Sequence, residues 1–229
     1  VGSFEETGEQ EYIVLCARKG IVKKTALSAY ANPRGAGIIA IHLGEGDELM
    51  AAGRSSGANQ VLIATREGKS ILFDENDVRP MGRTATGVRG IALGEGDEVV
   101  GMEIIHPGAT ILTVTQNGYG KRTPLEDYRV QNRGGQGIIN IRTSDRNGKV
   151  VGVVQVVEAD DTMLITDGGK VLRCPAGGIS SMGRATQGVR VMNLAEDENL
   201  VAISRLADSD DGVGDADDSA AAAEADTQD

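Results

Sequence analysis

The chain has 229 residues, 40% of them hydrophobic, with two Phe, four Tyr, no Trp and a formal net charge of −11. A core of Val, Ile, Leu and Ala favours strands over packed bulky helices, and 32 glycines, about twice average usage, imply many tight turns. No apolar run approaches the ~18 residues of a membrane-spanning helix, and neither a membrane span nor a signal peptide is expected.

From the N-terminus, the opening VGSFEETGEQ carries no initiating Met, and the chain is expected to be a piece of a longer protein. Four similar stretches then follow: YIVLCARKGIVKKT (12–25), VLIATREGKSILF (61–73), ILTVTQNGYGKRT (111–123) and MLITDGGKVLRC (163–174). Each is an apolar run, a turn ending on Gly20, Gly68, Gly118 or Gly169, and a second strand-like run. A second glycine set, Gly37, Gly87, Gly137 and Gly188, is spaced 50, 50 and 51 residues apart and opens IIAIHL, VRGIAL, IINIRT and VRVMNL. A polar turn comes next (GEGDE at 44–48 and 94–98, TSDRNGK at 143–149, AEDEN at 195–199), and then another strand such as VVGMEII or VVGVVQVV. Apolar runs of roughly four to eight residues between glycine turns are strands. The repeats, about 10–57, 58–108, 109–159 and 160–206, each predict a four-stranded antiparallel blade. One blade cannot cover its own two apolar faces, so an all-β, propeller-like stack of about four blades is expected.

A recurring loop precedes each second glycine: ANPRGAG (31–37), MGRTATG (81–87), QNRGGQG (131–137) and MGRATQG (182–188). Each keeps an arginine three or four residues before its final glycine: Arg34, Arg83, Arg133 and Arg184. Glycine serves where φ is positive or where backbone approaches a partner closely. An arginine in the same loop of every blade predicts cations at intervals around one rim, facing phosphate. The alternative is that each arginine caps backbone carbonyls of a neighbouring blade.

A second basic set lies just past the first turns: Lys23 and Lys24, Lys69, Lys121 and Arg122, and Lys170 with Arg173. Read as pointing out of a strand edge beside exposed glycine-loop N–H groups, these suit phosphate oxygens. Repeats one and three come out net basic, at +2 and +3, whereas repeats two and four are net negative. Tyr30, Tyr119 and Tyr128 are the only aromatic candidates nearby, too few for platforms that stack single-stranded bases. Contact with a duplex backbone, without sequence reading, fits better.

Cys16 and Cys174 sit in separate apolar runs and read as buried reduced thiols, in keeping with a cytoplasmic location. His42 and His106 are solitary and read as structural, without zinc-ligand spacing. The GEGDE turns lack the alternating acids of a calcium loop, and no nucleophile elbow, Walker A or dinucleotide fingerprint occurs. Neither a catalytic centre, a metal nor a cofactor is expected. From Ala207 to Asp229 the chain holds nine acids and no base, which leaves 25 acids against 23 bases in the body. That composition predicts a disordered acidic tail.

Over essentially residues 10–206 the chain resembles the C-terminal domain of bacterial DNA gyrase A subunits. The resemblance is carried by RTATGVRGIALGEGDEVV (83–100), TQNGYGKRT (115–123), RNGKVVGVVQV (146–156) and AEDENLV (195–201). It implies a β-pinwheel whose blades exchange strands, double-stranded DNA wrapped around a basic perimeter, and support of negative supercoiling by an ATP-dependent type IIA topoisomerase. The implied partners are the gyrase B subunit together with the rest of the gyrase A subunit. The family's signature box, Gln-Arg-Arg-Gly-Gly-Lys-Gly, is matched by QNRGGQG at Gln131, Arg133, Gly134, Gly135 and Gly137. Asn132 and Gln136 stand in place of two bases, and the loop sits in a late blade rather than the first. Two other readings are a protein-binding propeller of the chromosome-condensation-regulator type and the C-terminal domain of a topoisomerase IV A subunit.

Overall fold

Residues 11–32, 35 and 37–206 are described by the computed structural model. Arg34 and the acidic segment 207–229, with the disorder expected of it, lie outside the described residues. The first repeat supplies β1 (Tyr12–Ala17), β2 (Ile21–Ala26) and β3 (Leu49–Ser55). The second supplies β4 (Gln60–Thr65), β5 (Lys69–Asp74), β6 (Val88–Arg89) and β7 (Val99–Ile105). The third gives β8 (Thr110–Thr115), β9 (Tyr119–Pro124), β10 (Ile138–Ile139) and β11 (Val150–Val156). The fourth gives β12 (Asp161–Thr166), β13 (Val171–Pro175), β14 (Val189–Arg190) and β15 (Leu200–Leu206). A single 3-10 turn follows the second strand of each repeat.

The sheets do not coincide with the repeats. Counted outward from the innermost strand, their orders are β3-β1-β2-β6, β7-β4-β5-β10, β11-β8-β9-β14 and β15-β12-β13. Every two-residue strand therefore crosses to the preceding blade and completes its outer edge, with Val88 and Arg89 opposite Val22 and Ile21. This is the strand exchange that the gyrase resemblance implied. The six-residue strands expected after the second glycines shrink to two residues, and 38–43 forms no strand. The fourth sheet has three strands rather than four, because no donor pairs with β13 among the described residues.

Blade stacking explains why the runs are apolar without alternation. Along β4 and β5, Val61, Ile63, Ile71 and Phe73 pack with Val14, Cys16 and Val22 of the first blade. The intervening Leu62, Ala64 and Leu72 face Ile111, Val150 and Val153 of the third. Successive strand residues point to opposite faces, so a middle blade buries both and reads as a continuous hydrophobic run. A third cluster joins Leu112, Val114 and Val156 to Leu164, Ile179 and Leu200. The fourth blade has one covered face: Thr162, Leu164 and Thr166 are buried, whereas Val171 and Val201 are exposed. Burial raises the Cys16 thiol to about 12, while Cys174 is part-exposed, against the expectation that both are buried.

The innermost strands pack in order, β3 on β7, β7 on β11 and β11 on β15, about a common axis. Each blade has a register break where its innermost strand meets the next, at Cys16/Ala17, Ala64/Thr65, Val150/Gly152 and Ile165/Thr166. Such bulges increase local twist. Here they recur at one level of every blade.

Candidate nucleic-acid interface

The exchanged segments form the outermost layer. Pro80 bridges Lys24, Val130 bridges Leu72 and Ser181 bridges Arg122, each contact joining a segment to the third strand of the preceding blade. Nine or so residues later the same segment pairs again through β6, β10 or β14. Between these two attachments the arginine loop bows over the blade edge.

Residues 79–92 hold Arg79, Arg83 and Arg89; residues 129–142 hold Arg129, Arg133 and Arg142; residues 180–193 hold Arg184 and Arg190. None of the three segments contains an acid. Arg79, Arg89, Arg129, Arg142 and Arg190 are exposed, and Arg83, Arg133 and Arg184 are half-exposed. The acids lie elsewhere, among them Asp77, Glu126 and Asp127 in the 3-10 turns just ahead of these segments and others in the turns before the innermost strands. There Asp47 and Asp97 accept backbone N–H groups of Lys19 and Glu67, and Glu48 and Glu98 pair with Arg18 and Arg66. The outer segments thus carry cations alone, and Asp47, Glu48, Asp97 and Glu98 at the blade ends are compensated.

The loop arginines are pinned. Arg133 donates from Nε to the Asp77 carbonyl (2.8 Å) and from NH1 to the Arg89 carbonyl (3.0 Å). Arg184 does the same to the Asp127 and Ile139 carbonyls, and Arg83 donates to the Ile39 carbonyl. The carbonyl-capping reading of these arginines is therefore present in the geometry. A guanidinium has five N–H groups, so two such bonds orient Arg133 and leave its outer N–H groups facing solvent.

QNRGGQG owes its glycines first to packing. Gly137 has φ +69°, and a Cβ there would lie 2.4 Å from the Ser70 carbonyl oxygen. Gly87 and Gly188 meet the Val22 and Gly120 carbonyls in the same way. Gly134 N–H donates to the Gly90 carbonyl and Gly135 accepts from Ala92 N–H, which stitches the loop to the preceding outer segment. Gln131 N–H donates to the Leu72 carbonyl.

The second basic set needs correcting. Lys23, Lys24 and Lys121 are at most 1% exposed and Arg122 is 8% exposed; none points out of a strand edge. They lie on third strands covered along the edge by an exchanged segment; β9 belongs to a middle blade, whereas β2 belongs to the first blade, where the segment at Ala40 covers Lys23. Lys23 reaches the Ala40 and Arg83 carbonyls, and Lys121 reaches Thr123 Oγ1 (2.7 Å) and the Gly183 carbonyl (2.9 Å). Desolvation lowers both ammonium groups, Lys121 to about 8. Lys24 pairs with the buried Glu75 carboxylate at 3.4 Å, which also accepts from Ser55 Oγ and Asn59 N–H. Arg122 donates to the Ile179 and Gly177 carbonyls. These side chains anchor loops of the next repeat. Lys170 and Arg173 are exposed but compensated by Glu198 and Asp161; a backbone N–H from Ala195, with Lys170 and Thr166, holds Glu198 at about 2. Lys69 is half-buried, opposite Ile139.

Arg79, Arg89, Arg129, Arg142 and Arg190 were not singled out from sequence. A signal was available, since Arg79 and Arg129 recur 50 residues apart, as do the second glycines. Among the described residues no group of His, Cys, Asp and Glu is placed to hold a metal ion, and no helix is long and apolar enough to cross a membrane.

The family described as DNA gyrase C-terminal domain, beta-propeller, matches residues 11–56, 59–106, 109–156 and 160–207. The DNA gyrase A subunit of Salmonella typhimurium is 46% identical over 196 residues, 86% of this chain and 22% of that protein. Its Klebsiella oxytoca counterpart is 45% identical over 225 residues, 95% of this chain and 26% of that protein. This chain thus spans about a quarter of the curated relatives it matches. Among solved structures, a DNA gyrase A C-terminal domain superposes with TM-score 0.80 at 28% identity, covering 90% of this chain and 68% of that one. The C-terminal domain of a DNA topoisomerase IV gives 0.83 at 26% identity, covering 90% and 64%. With four family matches on four blades and relatives well above 40% identity, the chain belongs to the DNA gyrase C-terminal domain family of β-propellers.

Proposed function

We propose that this chain binds duplex DNA without sequence preference and bends it around its outer layer, as the C-terminal part of a gyrase A subunit. One observation carries the reading: in a body with more acids than bases, the three outermost segments hold eight arginines and no acid. Phosphate contacts release condensed counterions and need no base reading, and a curved row of cations favours a duplex that follows it. A wrapped segment, held by the B subunit with the rest of the A subunit, would be presented to an ATP-dependent strand-passage reaction performed elsewhere in the assembly. The 46% identity to a gyrase protein favours gyrase over topoisomerase IV as that assembly.

The test is topological. The chain is bound to a nicked circular duplex, the nick is sealed by ligase and the protein is stripped. A wrapped segment leaves a shift in linking number that grows with protein, and replacing Arg79, Arg89, Arg129 and Arg133 by Ala abolishes it. Binding without any shift would reject wrapping.

A further inference from the structure

The outer layer is not uniform. At the outer edge of the first blade Arg89 stands opposite Ile21, and on the second Ile139 stands opposite Lys69. On the third, Arg190 stands opposite Tyr119 and donates from NH2 to the phenol oxygen at 2.9 Å. Its guanidinium carbon lies 5.3 Å from the Tyr119 ring centroid. Arg146, from the turn before β11, places its guanidinium carbon 4.9 Å from the same centroid and donates to Gln187 Oε1. Two exposed cations are thus gathered on one ring that is itself only 6% exposed. Neither has a carboxylate within ion-pair distance among the described residues.

Like charges held together without a counter-ion raise each other's energy, and an anion between them relieves it. Cation–π contacts with a buried ring fix both guanidinium groups in place. Less side-chain freedom is then lost when an anion arrives, and planar guanidinium forks match phosphate geometry. Hydrogen bonding from Arg190, then from Arg146, holds the Tyr119 phenol below its usual range.

We propose that Arg146 and Arg190, positioned by Tyr119, form a preassembled phosphate clamp on the third blade and make the strongest single contact with a duplex phosphodiester. The proposal rests on the duplex-binding reading above and adds that the blades contribute unequally.

Two measurements on the full chain test it. In a salt titration of duplex affinity, Arg146→Ala/Arg190→Ala lowers the log–log slope by about 1.8, against about 0.9 for Arg89→Ala, at roughly 0.9 per phosphate contact. That corresponds to a loss of about 60-fold at 0.1 M salt against about eight-fold. Separately, phenolate absorbance is followed against pH, with Tyr119→Phe subtracted, at constant ionic strength with and without inorganic phosphate. Bound phosphate neutralises the clamp, so the Tyr119 pKa rises in its presence, and the rise disappears in the double variant. A slope unchanged in the double variant but lowered in Arg133→Ala overturns the clamp and leaves duplex binding standing. No salt-dependent duplex binding by the unmodified chain overturns the duplex reading. A phosphate-induced pKa rise would then assign the clamp to a free phosphate, which overturns its assignment to DNA.

Discussion

Exposure and burial of neighbouring cations make opposite predictions for one triple variant, Lys121→Ile, Arg122→Leu and Arg133→Ala. If all three residues met phosphate, the salt slope of duplex binding would fall by about 2.7. The structure allows one contact, because Lys121 and Arg122 are 0% and 8% exposed and spend their donors on carbonyls and a hydroxyl. The expected fall is about 0.9, and it should match that of Arg133→Ala alone. Between 50 and 200 mM salt this amounts to about a 3.5-fold smaller change in affinity than in the unmodified chain.

The same variant makes a prediction for stability. Repeat two already places Ile71 and Leu72 at the positions of Lys121 and Arg122, so apolar side chains fit these sites. Thr123 Oγ1 keeps a bond to the Met182 carbonyl, and the Gly183 carbonyl keeps Thr186 Oγ1 as a donor. Lys121→Ile therefore leaves no orphan, and exchanging a buried charge for a hydrophobe is often neutral or stabilising. Its expected effect is within about 1 kcal/mol. Arg122→Leu removes the Ile179 carbonyl's side-chain donor and costs about 1–3 kcal/mol. Fluorescence anisotropy across a salt series and urea unfolding supply the two readouts. A slope that falls by two to three units in the triple variant, with Lys121→Ile alone contributing one, would refute the reasoning and place buried lysines on the DNA path.

Glu75→Ala strips Lys24 of its buried partner and leaves Ser55 Oγ and Asn59 N–H without an acceptor; urea unfolding should show a loss of about 3–5 kcal/mol, and a loss below about 1 kcal/mol would contradict that account. Glu103, in a cavity of about 480 Å3 it shares with Arg54, His106, Gln155 and Arg205, is raised to about 7 by burial, partly opposed by a Gln155 hydrogen bond and Arg205. A raised carboxyl stabilises the folded state below about pH 4.5 and loses that contribution as pH rises through about 7, so up to about 3 kcal/mol of pH dependence should vanish in Glu103→Gln; an unchanged pH–stability curve would refute it. Deleting 207–229 removes nine acids and changes net charge from −11 to −2, which should tighten duplex binding, most at low salt; equal affinities there would show that the segment does not compete with phosphate.

The blades were legible because turn glycines and apolar runs are local features. Gly20, Gly68, Gly118 and Gly169 each close a hairpin, and the runs beside them are buried between blades as their composition requires. The site was less legible because it depends on exchange between blades, which came from the family resemblance and not from the repeat pattern. Counting charge by repeat made the second repeat net negative, yet its segment 79–92 is purely basic and lies on the first blade. Lys23 and Lys24 carried a warning, since adjacent strand residues point to opposite faces and both could not face one rim. The runs around them already implied burial on both faces. Arg79 and Arg129 were passed over because they lack adjacent glycines, although they are exposed and have no side-chain partner among the described residues.

Why the inner anchors include lysines while the outer layer has arginines alone follows from the two side chains. A buried ammonium can direct its donors to several acceptors at one point, as Lys23 does to the Ala40 and Arg83 carbonyls and Lys121 to Thr123 Oγ1 and the Gly183 carbonyl. A guanidinium can be held by some N–H groups and still present others, as Arg133 and Arg184 do. The inner lysine, the loop glycine against a third-strand carbonyl and the outer arginine therefore form one stack, running from blade core to surface. The positions at which the layer can meet phosphate are fixed by how each blade packs on the last, not by loop sequence alone. A change at Ile71 or Gly137 would reach a bound duplex by moving Arg133, although neither side chain carries charge.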